Sequence, residues 1–263
     1  MSAIPHLVGM VHLVPLPGSP RYGGSMDVVL ERAVADAVVL TQAGFPAVMI
    51  ENFGDAPFHA GPVPPETVAA MTLAVGAVAD ATSATLGVNV LRNDAMAALG
   101  IAAATGARFI RVNVLTGLMY TDQGPIVGDA AALLRRRALL APDVEVWADV
   151  MVKHATAPPG LTIAQAASDI LERGMADALI VSGTGTGSEP VQGDVIAVQS
   201  AVPPGTRLVI GSGATVDNLG RLSELADSVI VGSSLKRDSD PTGNVDPDKA
   251  SHFVKVAEEL GLT

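Results

Sequence analysis

Two carboxylates, Glu51 and Asp149, stand at the ends of the short β-branched runs Ala47–Glu51 and Val144–Val150. Carboxylates that face one cavity can divide into acid and base, or stabilise an oxocarbenium ion at a sugar carbon. The alternative for either is to orient Arg111 or Lys153. Lys153 and His154 follow Asp149 closely. A lysine at the mouth of a cavity can form a Schiff base, bind an anion or pair with a carboxylate, and His154 can shuttle a proton. His12 ends the first run. With Glu51 or Asp149 it has metal-ligand atoms, but no fixed ligand spacing supports a site, so neither a metal nor a cofactor is expected. Asn89 and Asn113 suit hydrogen bonds to sugar hydroxyls. Arg111 suits an anion, or a buried partner for Glu51 or Asp149.

Two further segments carry glycine and hydroxyl groups together. Ile210 is followed by Gly211, Ser212 and Gly213, and Val231 by Gly232, Ser233 and Ser234. Such turns let backbone N–H groups approach an anion closely, which suits a phosphate; the plainer reading is two tight strand-to-helix turns. The segment Ser182–Ser188, with Ser182 and Thr184 as candidate substrate contacts, alternates glycine with hydroxyls and has the composition of a lid or of a surface linker. No Gly-Lys-Ser/Thr follows it, so it is not a Walker loop. In the stretch Asn52–Phe58, the two phenylalanines suit a hydrophobic lid and Asp55 a chain turn.

These residues need a frame that brings them together. Eight short runs rich in aliphatic residues recur: Leu7–His12, Ala47–Glu51, Thr85–Val90, Phe109–Val114, Val144–Val150, Ala178–Ser182, Arg207–Ile210 and Ser228–Val231. Eight helical stretches alternate with them: Met26–Ala43, Glu66–Ala81, Asp94–Thr105, Asp129–Leu140, Thr162–Arg173, Gly193–Val202, Val216–Leu225 and Asp246–Leu260. Strict strand-then-helix order implies a parallel sheet. Eight units in 263 residues imply one α/β domain, a (β/α)₈ TIM barrel over 1–263. The competing architecture is a doubly wound open sheet. Side chains alternate faces along a strand. Val48 and Ile50 therefore oppose Met49 and Glu51; Val88 and Val90 oppose Asn89; Val112 and Val114 oppose Arg111 and Asn113; Ala148 and Val150 oppose Asp149; Val181 opposes Ser182. The polar groups collect at one end of the non-aliphatic face, where barrel sites lie.

Composition narrows the classes. No cysteine is present, which excludes disulfides, cysteine-ligated zinc and thiol catalysis. The net charge of −11 disfavours nucleic acid. The basic cluster Arg135–Arg137 reads as a solvated helix face. Val68–Ala79, the most apolar helical stretch, is too short to cross a membrane. Met1–Leu7 has neither the basic nor the apolar region of a secretory signal. A cytoplasmic protein is expected. The apolar fraction of 49% suits either a large core or buried contacts in a homo-oligomer.

Several motifs resemble the BtpA/SgcQ family: Gly9-Met10-Val11-His12-Leu13 with Pro15–Pro20 behind it, Glu51–Phe58, Arg111-Val112-Asn113, Asp149–His154 and Ser182–Gly185. Val14 departs from the proline of the family's first motif. The resemblance spans nearly the whole chain. It implies a barrel related to phosphate-binding barrels. One branch of the family is named for building photosystem I, at a membrane, which leaves peripheral membrane contact open; another sits among sugar-metabolism genes. The residues and the resemblance lead to one expectation: an enzyme acting on a phosphorylated sugar or nucleoside-type molecule, with anomeric cleavage or transfer ranked ahead of isomerisation or aldol cleavage. The expectation of a different class is a non-catalytic assembly factor.

Overall fold

A computed structural model describes residues 6–262. The reading of the N-terminal segment rests mainly on Met1–Pro5, which lie outside the described residues. Eight parallel strands close into a barrel, in the order first, second, third, fourth, fifth, sixth, seventh, eighth and back to first. They are Leu7–His12, Ala47–Glu51, Thr85–Asn89, Phe109–Val112, Glu145–Asp149, Ala178–Val181, Leu208–Ile210 and Ser228–Val231. Closure comes from pairing of Val8 with Ile230 on one side and with Ala47 on the other.

The alternation of side chains sorts the core into two parts. Val48, Ile50, Val88, Ile110, Val146 and Val181 point outward into the layer shared with the helices. Val8, Met10, Met49, Phe109, Trp147, Ile180, Val209 and Ile230 fill the interior as a separate buried cluster. Phe109 and Trp147 stack there with ring centroids 4.2 Å apart. That stack needs Gly87: a Cβ at this position would run into the Phe109 ring. Gly87→Ala is therefore expected to cost about 1–3 kcal/mol by overpacking. Phe109→Leu should recover part of that loss in the double variant. Equal melting temperatures for the wild type and Gly87→Ala would show that the ring has room to move.

The helices are α1 (Met26–Ala43), α2 (Pro65–Ala81), α3 (Ala95–Thr105), α4 (Ala130–Leu140), α5 (Ile163–Ser168), α6 (Gln192–Ala201), α7 (Leu219–Ser223) and α8 (Pro247–Glu259). Several start one residue later than the sequence suggests, because Asp94, Asp129, Thr162 and Asp246 are caps. Each side chain accepts from a free N–H of the first turn. Helix α5 widens into a π-turn at Asp169–Arg173, and α7 is a single short turn. No helix of the described residues is long and apolar enough to cross a membrane.

Two features lie outside the eightfold pattern. Leu118–Thr121, Gly124–Val127 and Ala155–Thr156 form a small antiparallel sheet above the fourth and fifth strands. The Thr121 hydroxyl closes its hairpin on the Gly124 carbonyl at 2.8 Å. The chain between the eighth strand and α8 forms a strap over the barrel mouth. Its base is a buried ion pair between Lys236 and Asp36 of α1, at 3.0 Å. Asp36 also accepts from the Val245 N–H at 2.8 Å, so both ends of the strap meet one carboxylate. Both charges are fully compensated, as burial requires.

Candidate active site

The polar strand ends meet in a basin at the C-terminal end of the barrel. It has a smaller lobe of about 390 Å³ and a larger one of about 780 Å³. His12, Glu51, Arg111, Lys153 and Thr186 line both lobes and form the waist between them.

The floor is a buried ion pair. Arg111 donates from Nε and Nη2 to the two oxygens of Asp149, at 2.9 and 2.7 Å. The Asn113 amide adds a bond of 2.9 Å and the Ser182 hydroxyl one of 3.3 Å. Asp149 is thus saturated with donors, and it holds the guanidinium in place. This is the orienting role that the sequence left open for one of the two carboxylates. Asn89 does not reach the basin. It is wholly buried beneath, where its amide donates to the Arg111 carbonyl at 3.3 Å.

Glu51 has the opposite environment. It is 6% exposed, and its carboxyl receives no hydrogen bond from the described residues. Burial pushes its pKa up, against the pull of Lys153 and Arg111. The imidazole of His12 lies 3.8 Å away. Its Nδ1 faces the Pro241 carbonyl at 2.8 Å, and a carbonyl only accepts, so Nδ1 carries the proton. Burial first, and then the charge of Lys236, lower the His12 pKa to about 3. His12 is therefore neutral and forms no ion pair with Glu51; its unprotonated Nε2 is the atom turned toward the carboxyl. Phe53 stacks on the ring at 4.4 Å. The Phe53 loop is held by Asp55, which accepts from the Leu16 N–H at 2.8 Å.

Lys153 enters the waist from an unusual backbone. Met151 and His154, on either side, both adopt left-handed φ angles, near 54° and 56°. Such angles are costly for side-chain-bearing residues and cluster at functional sites. Burial, then the Arg111 charge, lowers the Lys153 pKa. His154 turns outward and is exposed; its Nε2 accepts from the Thr186 N–H at 3.2 Å. It lines only the larger lobe.

The smaller lobe is walled by the glycine and serine turns. Gly211, Ser212, Gly213, Gly232, Ser233 and Ser234 all line it. Their hydroxyls divide. Ser212 donates to the Ser188 carbonyl at 2.7 Å and Ser234 to the Ala214 carbonyl at 2.7 Å, so both brace loops. Among the described residues, the N–H groups of Gly213, Ser233 and Ser234 have no acceptor. A Cβ on Gly211 would strike Ile180 and Ser182, and one on Gly213 would strike the Glu189 backbone. Both glycines are needed for the close approach of the loops. Thr184 points away and is exposed; Thr186, Gly187 and Ser188 of the same loop line the lobe instead.

Sequence reasoning missed Arg92 as a lining residue of the larger lobe, and Ser239 and Pro241 as lining residues of the smaller. All three lie in connecting segments, where no period marks the facing side. Phe53 and Phe58, the pair expected to form a hydrophobic lid, line the larger lobe. Among the described residues, no three histidine, aspartate or glutamate side chains converge as a metal site.

The sequence profile of the BtpA family matches residues 4–259. The photosystem I biogenesis protein BtpA of Synechocystis is 47% identical over 96% of this chain and 88% of its own length. Among solved structures, one described as native KDPGal superposes with a TM-score of 0.61 at 17% identity, covering 100% of this chain and 98% of the other. Another is (S)-3-O-geranylgeranylglyceryl phosphate synthase of Thermoplasma acidophilum in complex with its substrate sn-glycerol-1-phosphate. Its TM-score is 0.58 at 12% identity, over 97% and 94% of the two chains. At these identities the structural likenesses establish the barrel fold alone.

Proposed function

The chain belongs to the BtpA family, and from that premise we propose that it is an enzyme acting on a phosphorylated sugar or nucleoside-type substrate at the anomeric carbon, by glycosyl or ribosyl cleavage or transfer. One observation carries the reading. Glu51 is a buried carboxyl without hydrogen bonds, with a raised pKa, at a waist shared by two lobes. Burial favours the protonated form of such a group, which suits a general acid.

In this reading the phosphate occupies the smaller lobe, against the N–H groups of Gly213, Ser233 and Ser234, with the Arg111 and Lys153 charges on its floor side. The anomeric carbon sits at the waist and the leaving group in the larger lobe. Glu51 passes its proton to the leaving atom as the glycosidic bond breaks. The resulting carboxylate then takes a proton from the incoming hydroxyl nucleophile as the new bond to carbon forms. Asp149 contributes by fixing Arg111. The bound glycerol phosphate of the Thermoplasma neighbour lends support at the level of ligand class. The overall charge of −11 would repel an anion, so cations focused in a cleft give the ligand its route in.

A second reading, a non-catalytic assembly factor, is favoured by the description of the Synechocystis relative. A thermal-shift screen separates the two. Ribose or hexose phosphates should raise the melting temperature, and the unphosphorylated sugars should not. Gly232 is the turn glycine where a side chain fits, since a Cβ there would meet only His12 and Met10 at 3.5 Å. Gly232→Asp, which places a carboxylate in the smaller lobe, should keep the fold and abolish the shift, while Gly232→Ser keeps most of it. No shift with any phosphate, in a protein that melts cooperatively, would transfer the weight to the assembly factor.

A further inference from the structure

The leaving group in the larger lobe has no chemical identity yet, and two properties of that lobe conflict unless something fills it. Its walls are apolar: Leu13, Val14, Pro15, Phe53, Phe58 and Leu91. Into these walls projects Arg92, which is only 5% exposed. Its Nη2 donates to the Lys153 carbonyl at 2.5 Å, and its buried Nε has no partner among the described residues. No carboxylate of the described residues lies within ion-pair distance of it. Asp122 shares the lobe, but it is an exposed residue on the turn of the small hairpin, hydrogen-bonded by the Gln123 amide. Arg111, Lys236 and Arg137, by contrast, each have a carboxylate partner.

A guanidinium buried without a counter-charge is costly, and proteins seldom keep one without a compensating anion. We propose that the larger lobe binds an apolar ring bearing an anionic, carboxylate-like substituent, with the ring against Phe53 and Phe58 and the anion on Arg92. This inference rests on the proposed function for its geometry, because it makes the ring the substituent carried by the reacting sugar carbon. It narrows the substrate class. The ligand has two acidic ends, a phosphate and a carboxylate-like group, on opposite sides of Glu51. A neutral nucleobase would leave Arg92 unmatched. The planar guanidinium fork suits a carboxylate through two parallel N–H bonds, and the aromatic walls suit a ring.

The test uses the full chain and titration calorimetry with three probes: 1-naphthoate, its neutral counterpart 1-naphthamide, and inorganic phosphate. Naphthoate is expected to bind the wild type at least about tenfold more tightly than the amide, and saturating phosphate should not displace it. Arg92→Met should erase the preference for the charged probe and leave phosphate binding unchanged; Arg92→Lys should retain part of the preference. Gly232→Asp should show the reverse pattern, losing phosphate and keeping naphthoate. Equal binding of the two naphthalene probes by the wild type would overturn the proposal, and that measurement needs no variant to fold. Competitive displacement of naphthoate by phosphate would also overturn it, by placing both anions in one lobe. Naphthoate binding that depends on Arg92, in a protein that does not bind phosphate, would uphold this site and sink the phosphate-lobe reading instead.

Discussion

Arg111→Met is expected to lower the melting temperature by roughly 10 °C, the largest loss of stability from any single change at the basin. Removing one member of a buried ion pair strands the other. Asp149 would keep only the amide of Asn113 and the hydroxyl of Ser182, with its charge enclosed. Such a change typically costs about 3–5 kcal/mol, and in a chain of this size each kcal/mol shifts melting by about 2–4 °C. The same argument makes the loss non-additive. Arg111→Met combined with Asp149→Leu replaces two charges by two apolar groups and should melt well above either single variant. Melting temperatures of the wild type, the singles and the double close the cycle. A double variant that lost the sum of the singles would show that the two residues act separately.

Glu51→Gln should lower turnover by about 10²–10⁴-fold on the sugar phosphate that shifts the melting point, with ligand affinity within a few-fold of wild type. Stability should move the other way. The folded chain binds the Glu51 proton more tightly than the unfolded chain does, because burial raises its pKa. Wild-type stability is therefore fully present below the ordinary carboxylate pKa and falls as pH rises through the raised folded value. Glutamine cannot ionise, so it escapes that fall. The melting temperature of Glu51→Gln minus that of wild type should climb as pH rises above the ordinary carboxylate value of about 4. A difference that stays flat would mean that the carboxyl is not buried as the structure has it, whatever the kinetics show.

What could be read in the sequence follows from periodicity. A strand alternates its side chains, so Glu51, Arg111 and Asp149 were legible as inward-facing from their neighbours alone. Parity gives the face but not the depth. Asn89 shares that face, yet it lies below the basin with its amide spent on the Arg111 carbonyl. Loops have no period. The sequence therefore pointed to Thr184 where Thr186 lines the basin, and it gave no sign of Arg92, which lies beyond the third strand. The small antiparallel sheet was invisible because its strands are too short to show a pattern. Asp149 was identified as a site residue, but whether it titrates or anchors depended on donors from three other segments that only the fold brings to it.

The strap makes the first strand's imidazole depend on a segment made more than two hundred residues later. His12 is in the first strand made, and the carbonyl that sets its tautomer belongs to Pro241, far downstream. A chain still emerging from the ribosome can pair its early strands, but its imidazole has no reason to prefer one nitrogen. The preference arises only when Lys236 docks on Asp36 and carries Pro241 over the mouth. Before that moment a half-made barrel has its carboxyl and its lysine but not the neutral, oriented imidazole beside them. The carboxyl, the lysine and the oriented imidazole therefore stand together only where the C-terminal strap is docked.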